Sequence, residues 1–189
     1  MTDLSRRALL TMPIVLSACS PVASEASDMP KSKILVAVFT RSGNTKVIAG
    51  TVQRDLSADL FEIQPKTPYP DDYEATVEQA RIERDKDIEP PLLRTVTDFD
   101  RYGKIYLAFP IWGETAPPII RSFLKTHDTS GKIIRPIITH GGYGLGNSLI
   151  MLKTHAPNAQ IEPPFVMEAD QERRTLTQVR VWLGQLAEN

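Results

Sequence analysis

The sequence has one cysteine in 189 residues, no run of five or more basic residues and no visible internal repeat. A single cysteine excludes an intrachain disulfide, so packing must hold the fold together. The formal net charge of −1, without a basic block, argues against nucleic acid as a partner. With 41% hydrophobic and 24% charged residues, the composition predicts one ordinary folded domain rather than a disordered chain or a membrane bundle.

Motifs for metal binding and acyl transfer are also missing. The three histidines, His127, His140 and His155, do not pair at metal-ligand spacing, and the sequence has no Cys-x-x-Cys or His-Glu-x-x-His segment. There is no Gly-x-Ser-x-Gly elbow, so acyl transfer has no support. Neither a metal site nor acyl chemistry is therefore expected.

The N-terminus has the pattern of an export signal. Arg6 and Arg7 stand just before an apolar run of 11 residues, 8–18, which is shorter than the roughly 20 residues that span a hydrocarbon core. The run ends in Leu16-Ser17-Ala18-Cys19, which resembles the bacterial lipobox, whose cysteine receives a lipid and becomes the first mature residue. An ordinary secretory signal with an incidental cysteine is the alternative.

These signals predict how the chain is divided and where it resides. Residues 1–18 form the predicted signal peptide, 19–31 a flexible tether and 32–189 the folded domain. Lipidation of Cys19 is expected to anchor the exported domain to a membrane on its periplasmic side. The twin arginine resembles signals of a pathway that exports folded proteins, and a folded domain can carry a cofactor.

The domain alternates apolar runs with segments of helical spacing. The apolar runs predict strands at residues 33–39, 59–64, 105–109, 133–139 and 160–167, the last interrupted by Pro163-Pro164. Helices are predicted at residues 45–57, 73–84, 117–124, 145–154 and 171–186. This alternation predicts an α/β three-layer sandwich around a five-stranded parallel sheet of order 2-1-3-4-5.

In sheets of this kind, ligands bind beyond the carboxyl ends of the strands, at the place where the strand order reverses. Three segments follow the first, third and fourth predicted strands at this place. They are loop 1 at residues 40–45, loop 2 at 110–116 and loop 3 at 140–146. Loop 1, Thr-Arg-Ser-Gly-Asn-Thr, follows a strand and opens a helix, so its hydroxyls, its glycine and the helix N-terminus suit a phosphate. A plain helix cap is the alternative, and the Gly-Lys-Ser/Thr of a Walker A loop is absent.

Loop 1 resembles the phosphate loop of flavodoxins, Ser/Thr-x-Thr/Ser-Gly-Asn-Thr, at every fixed position. Pro110-Ile111-Trp112-Gly113 and Thr139-His140-Gly141-Gly142 resemble the other two loops of one flavodoxin-like group. The resemblance covers residues 33–186 and implies the flavodoxin-like fold with noncovalently bound FMN. It implies cofactor-binding residues in all three loops: Thr40, Arg41, Ser42, Gly43, Asn44, Thr45, Pro110, Ile111, Trp112, Gly113, Thr139, His140, Gly141, Gly142, Tyr143 and Gly144.

The resemblance also implies a role for each loop. Loop 1 holds the phosphate through its hydroxyls and its asparagine. Trp112 stacks on the isoalloxazine ring, and the Gly113 peptide flips so that its carbonyl accepts a hydrogen bond from reduced N5. The loop 3 glycines offer N–H groups to the pyrimidine edge, and Tyr143 covers the second flavin face. His140 touches the flavin edge, acts as a proton donor or bonds only within its loop.

The predicted helix at residues 73–84 has two faces. Its apolar stripe is formed by Tyr73, Val77, Ala80 and Ile82. Its charged face is predicted to be solvated and contains Glu78, Arg81, Glu83, Arg84 and the following Lys86. Tyr69 and Tyr73 follow the second predicted strand, where a loop folding over the flavin ring is expected.

Three functions are compatible with these motifs. The first is an exported, lipid-anchored protein that binds FMN and transfers electrons. The second is an FMN-dependent quinone or NAD(P)H reductase, and the third is a binding module that has lost the flavin. The electron donor stays open between a redox protein, a quinone and a nicotinamide, because the nearly neutral charge does not favour the basic partners of acidic flavodoxins.

Overall fold

The computed structural model describes residues 33–168 and 172–187. The predicted signal peptide, the tether and Cys19 lie outside the described residues. Among the helices that are described, none has the length and apolar character needed to cross a membrane. The fold that positions the site is therefore described from Lys33 onward.

Strands and helices alternate along the described chain, as the sequence predicts. The strands are β1 (Lys33–Val38), β2 (Asp59–Glu62), β3 (Tyr102–Pro110), β4 (Ile133–His140), β5 (Gln160–Ile161) and β6 (Phe165–Glu168). The helices are α1 (Asn44–Asp55), α2 (Tyr73–Asp85), α3 (Pro118–Thr126), α4 (Ser148–His155) and α5 (Glu172–Ala187). A short 3₁₀ helix at Phe99–Arg101 precedes β3.

The sheet is parallel and has the order β2-β1-β3-β4-β5, with β6 also paired to β4. Along β4, Ile133 faces Gln160 of β5 and Ile137 faces Phe165 of β6. The short strands β5 and β6 thus pair with successive parts of β4. Pro163 and Pro164, which have no N–H to donate, lie between the two strands. The predicted order and the interrupted fifth strand are both confirmed.

The two faces of the sheet carry separate cores. Leu35 and Ala37 of β1 pack on one face with α3 and α4, whereas Val36 and Val38 pack on the other face with α1 and α5. Successive side chains of a strand point to opposite faces, so a strand buried on both sides reads as one continuous apolar run. This arrangement confirms the three-layer sandwich.

Helix α2 packs against α3. Of its apolar stripe, Ala80 is buried, whereas Tyr73 and Val77 are exposed. Buried Arg121 of α3 holds the end of α2 by donating hydrogen bonds to the carbonyls of Glu83 and Ile88, each at 3.0 Å. The predicted helix is confirmed, and α3 is its described helical neighbour.

Helix α4 begins three residues later than the predicted start at residue 145. Gly144 and Gly146 have φ values of +72° and +53°, outside the helical range, so the helix begins only at Ser148. Residues 145–147 therefore belong to the connection between β4 and α4, which is three residues longer than predicted.

Candidate functional site

The strand order places loops 1, 2 and 3 side by side at the carboxyl edge of the sheet, and hydrogen bonds join them. The Ile111 N–H donates to the Thr139 carbonyl at 2.8 Å, and the Thr45 and Thr139 hydroxyls lie 2.8 Å apart. The Asn147 N–H, just after loop 3, donates to the Glu114 carbonyl of loop 2 at 2.8 Å. The three segments that the sequence singled out are therefore one connected structure.

Loop 1 turns sharply into α1 and leaves the start of that helix open. Gly43 has φ +94°, and its N–H donates to the Thr40 hydroxyl at 3.0 Å. No side chain caps α1, and Ser42 and Asn44 are exposed. The N–H groups of a first helical turn have no intrahelical partner, and the helix dipole adds positive potential. This end of α1 is thus suited to an anion.

Thr45 and Arg41 face different surroundings from the rest of loop 1. Thr45 is buried and its hydroxyl bonds to Thr139, so in this structure it joins loop 1 to the β4 residue directly before loop 3. Arg41 extends toward the segment before α2, where it donates to the Asp71 carbonyl at 3.2 Å and lies over the Tyr73 ring at 5.7 Å. Their predicted contacts with a phosphate stay predictions.

Loop 2 contains a tight turn directly after β3. The Trp112 N–H donates to the Thr115 carbonyl at 2.8 Å, and the two residues between them, Gly113 and Glu114, both have positive φ, +57° and +30°. A positive φ is easy for glycine and uncommon for glutamate. The turn presents the exposed Gly113 peptide at the carboxyl edge of the sheet.

The indole ring of Trp112 is held by two aromatic neighbours. Phe39 and Tyr69 contact it in edge-to-face geometry, with ring centroids 5.2 and 4.9 Å away. Edge-to-face packing is a favourable arrangement for aromatic pairs. The ring is half-buried, so it is fixed on one side and available on the other.

Tyr69 is fixed in turn by a buried carboxylate of α2. Its hydroxyl donates to Glu83 at 2.8 Å, and the Gln79 amide donates to the other oxygen of the same carboxylate at 2.8 Å. Burial, followed by this hydrogen bond, raises the pKa of Tyr69, so the phenol stays protonated and remains a donor. Glu83 is 7% exposed, and the prediction that it belongs to a solvated face is wrong because Tyr69 and Gln79 satisfy its oxygens.

Loop 3 is the most open part of the site. The Gly142 N–H donates to His140 Nδ1 at 3.0 Å, a hydrogen bond within the loop, which is one of the interpretations that the sequence left open for this histidine. Tyr143 is 90% exposed between glycines. Contact of His140 or Tyr143 with a flavin stays a prediction.

A cavity of about 320 Å³ lies between loop 1, loop 2 and α2. Its lining includes Trp112, Gly113 and the α2 side chains Val77, Ala80 and Arg84. The three loops predicted as the site did not include α2, which forms one wall of this cavity. The signal was present in the helical spacing of Tyr73, Val77, Ala80 and Arg84, which places them along one stripe.

None of the predicted site residues in loop 3 lines this cavity.

The residues that the structure describes include no group of three or more His, Cys, Asp or Glu side chains that could hold a metal ion. His127 is buried beneath α3 and bonds to backbone groups of Phe123 and Val96. Desolvation lowers the pKa of His127, as expected for a neutral packing residue.

A comparison with protein families adds to this geometry. The family model described as flavodoxin matches residues 33–186. The chain belongs to the flavodoxin family. The matched region contains all three loops, the cavity between loop 1, loop 2 and α2, and both cores of the sandwich.

Solved structures share this flavodoxin fold. A presumed flavoprotein from Bacteroides eggerthii is 29% identical, with a TM-score of 0.72 over 82% of this chain and 98% of its own. A second, from Bacteroides uniformis, is 26% identical, with a TM-score of 0.70 over 79% and 98%. A Lactobacillus acidophilus flavoprotein has the same fold at 18% identity, with a TM-score of 0.61 over 77% and 99%. A search of curated proteins found no match.

Proposed function

We propose that the domain binds FMN noncovalently at the three loops and transfers electrons. The observation that carries this proposal is the uncapped start of α1 beside a cavity with Trp112 in its wall, in a member of the flavodoxin family. A phosphate suits the first feature and a planar aromatic ring the second. The Lactobacillus acidophilus relative in fold was solved in complex with FMN, which supports the same ligand here.

The residues of loop 1 fit a phosphate monoester. Small polar side chains, those of Thr40, Ser42 and Asn44, surround the open end of the helix. Gly43 has no side chain to cover the backbone there. No atom of another residue lies within 4 Å of the position of a Cβ on Gly43, so space remains for a ligand over the turn. Backbone N–H groups and hydroxyls then share the negative charge.

The residues of loops 2 and 3 fit a flavin ring. Bound FMN supplies reversible uptake of electrons, and the protein supplies its position and surroundings. Trp112, held by Phe39 and Tyr69, offers a fixed aromatic surface. The exposed Gly113 peptide and the glycines of loop 3 offer backbone donors and acceptors to the polar edge of the ring.

Titration with FMN tests this proposal. We expect FMN to bind and to quench tryptophan fluorescence. Because Trp112 and Trp182 are the two tryptophans, the Trp182→Phe variant makes Trp112 the single reporter. Loss of ring stacking in Trp112→Ala is expected to weaken FMN binding by about 10- to 100-fold, or about 1.4 to 2.8 kcal/mol. Trp112→Phe should restore most of the affinity.

Trp182→Phe also serves as the control for affinity, because Trp182 packs against Phe165 and Tyr106 on the other face of the sheet. Its FMN affinity should equal that of the wild type. If the purified protein shows no flavin absorbance and binds no added FMN, the FMN proposal is wrong and a flavin-free binding module becomes the conclusion.

A reductase is a second candidate, favoured by the charge of the cavity wall. The charged side chains in its lining are Arg41, Arg81 and Arg84, all cationic. Nicotinamide dinucleotides carry phosphates, which arginine binds well. Steady-state oxidation of NADH or NADPH with a quinone acceptor distinguishes the candidates, since an electron carrier that depends on a redox protein should show no turnover in this assay.

We also propose that the domain is exported and works while anchored to a membrane. The twin arginine, the apolar run and the lipobox-like segment ending at Cys19 support this. We expect wild-type protein to fractionate with membranes and Cys19→Ala protein to fail to acquire lipid. Mass spectrometry of the mature N-terminus checks this directly, and an unmodified Cys19 in membrane-free protein would contradict lipidation.

A further inference from the structure

Arg84 stands on the cavity wall that α2 forms, and the backbone around it is firmly held. The preceding residue, Glu83, is buried, and its carboxylate accepts hydrogen bonds from Tyr69 and Gln79. The Glu83 carbonyl accepts a hydrogen bond from buried Arg121 at 3.0 Å. The Arg84 side chain therefore extends over the cavity from a fixed point of the helix.

The guanidinium of Arg84 lies directly against loop 2. Its Nη1 is 2.8 Å from the point where a Cβ would stand on Gly113, which is closer than real Cβ atoms approach other atoms. The φ of +57° at Gly113 also disfavours a side chain. A larger residue at position 113 would displace the guanidinium. Glycine at position 113 thus allows the guanidinium of Arg84 to lie against loop 2, in the cavity wall that includes Trp112.

The positive charge of Arg84 is incompletely compensated. Its Nε is 3.5 Å from Oδ1 of Asp85, while Arg81 is 2.9 Å from the other oxygen of that carboxylate. Arg81 also pairs with Glu78 at 2.7 Å. One carboxylate thus serves two guanidiniums, and Arg81 has a second acid of its own. Of the two arginines, Arg84 is the one whose charge acts more strongly on the cavity.

We propose that Arg84 tunes the bound flavin electrostatically. Reduction adds negative charge to the isoalloxazine ring, and the guanidinium stabilises that charge, so the protein binds reduced FMN more tightly than it would without Arg84. Arg84 neither gains nor loses a proton or an electron, and the electrons come from the donor that reduces the protein. The inference rests on the proposed function, because it requires FMN beside Trp112.

Dissociation constants of oxidised and reduced FMN, measured under anaerobic conditions on the full-length protein, test this inference. We expect Arg84→Gln to weaken binding of reduced FMN about tenfold more than binding of oxidised FMN. This corresponds to a fall of about 30 mV in the two-electron midpoint potential. Arg84→Lys should keep most of the wild-type value because it keeps the charge. Arg101→Gln, the control, removes an arginine of similar exposure, 43%, that does not line the cavity, and should change the ratio less than about threefold.

Ionic strength provides a readout that a structural role would not move. The Arg84 side chain is 40% exposed, so salt should screen its charge. The difference between wild type and Arg84→Gln should shrink as ionic strength rises from about 0.01 to 1 M, where the Debye length falls from about 30 to 3 Å. Asp85→Asn, which removes the carboxylate paired with Arg84, should shift the ratio in the opposite direction to Arg84→Gln and decides the matter if Arg84→Gln does not retain FMN.

Several results would overturn the inference. These are equal shifts in Arg84→Gln and Arg101→Gln, a shift in Arg84→Lys as large as that in Arg84→Gln, or a shift that does not depend on salt. Failure of the wild-type protein to bind FMN would overturn the proposed function together with the inference. Normal FMN binding without a shift in Arg84→Gln would overturn the inference alone.

Discussion

Replacing Gly146 with alanine is expected to lower the free energy of unfolding by about 3 kcal/mol and to weaken FMN binding. A Cβ at this position would lie 2.1 Å from the Glu114 carbonyl oxygen and 2.6 Å from its carbon. Both atoms belong to backbone that is already fixed, because the same oxygen accepts the Asn147 N–H at 2.8 Å. The clash adds to the cost of φ +53° in a residue with a side chain, and together they separate loops 2 and 3.

Gly144→Ala is the matched control for stability. Gly144 has φ +72° and no atom of another residue within 4 Å of its Cβ position, so alanine there bears only the conformational cost, about 1 kcal/mol. Urea denaturation of both variants gives the contribution of the close approach as their difference. Equal losses would show that loops 2 and 3 separate without cost. Gly131→Ala, also at positive φ in open space but outside the three loops, controls for the effect on FMN affinity.

The contact between Gly146 and Glu114 shows what the sequence pattern could and could not predict. The three loops were predictable because each follows an apolar strand and has a distinctive local composition, and the strand order places such loops together. The sequence shows a glycine at position 146, but it does not show why a side chain is excluded there. The carbonyl that excludes a side chain belongs to a residue 32 positions earlier in the chain. Local patterns carry no information on such approaches.

Helix α2 illustrates the same limit. Its helical period predicted a helix over 73–84, close to the observed Tyr73–Asp85. The burial of the Glu83 carboxylate was not predictable from charge patterning, because one of its two hydrogen-bond donors, Tyr69, lies outside the helix. Thr45 is a further case, since its hydroxyl meets Thr139, 94 residues away in the sequence. In each case a long-range partner decides whether a polar side chain is solvated, buried or exposed to a ligand.

Arg121→Ala is expected to lower the free energy of unfolding by about 3 kcal/mol and to weaken FMN binding by loosening α2. Arg121 is 7% exposed, and one of its nitrogens donates to the carbonyls of Glu83 and Ile88, each at 3.0 Å. Its cationic group lies at the C-terminal end of α2, where the helix dipole favours positive charge. Alanine would remove the Arg121 donor from both carbonyls and open a void. The Glu83 carbonyl would keep the Ile88 N–H at 2.8 Å, so the larger loss falls on the Ile88 carbonyl, and a buried unsatisfied group costs about 1 to 3 kcal/mol.

Asp87→Asn separates the buried role of Arg121 from its ion pair. Arg121 pairs with Asp87 at 2.8 Å, but the Asp87 side chain is 92% exposed, and exposed pairs contribute about 0 to 1 kcal/mol. We therefore expect Asp87→Asn to lose less than about 1 kcal/mol and to keep its FMN affinity. If Asp87→Asn matched Arg121→Ala in both measurements, the ion pair would hold α2 in place. If Arg121→Ala lost stability but kept full FMN affinity, α2 would not form a wall of the binding site, because its position depends on this arginine whereas loops 1 and 2 have their own hydrogen bonds.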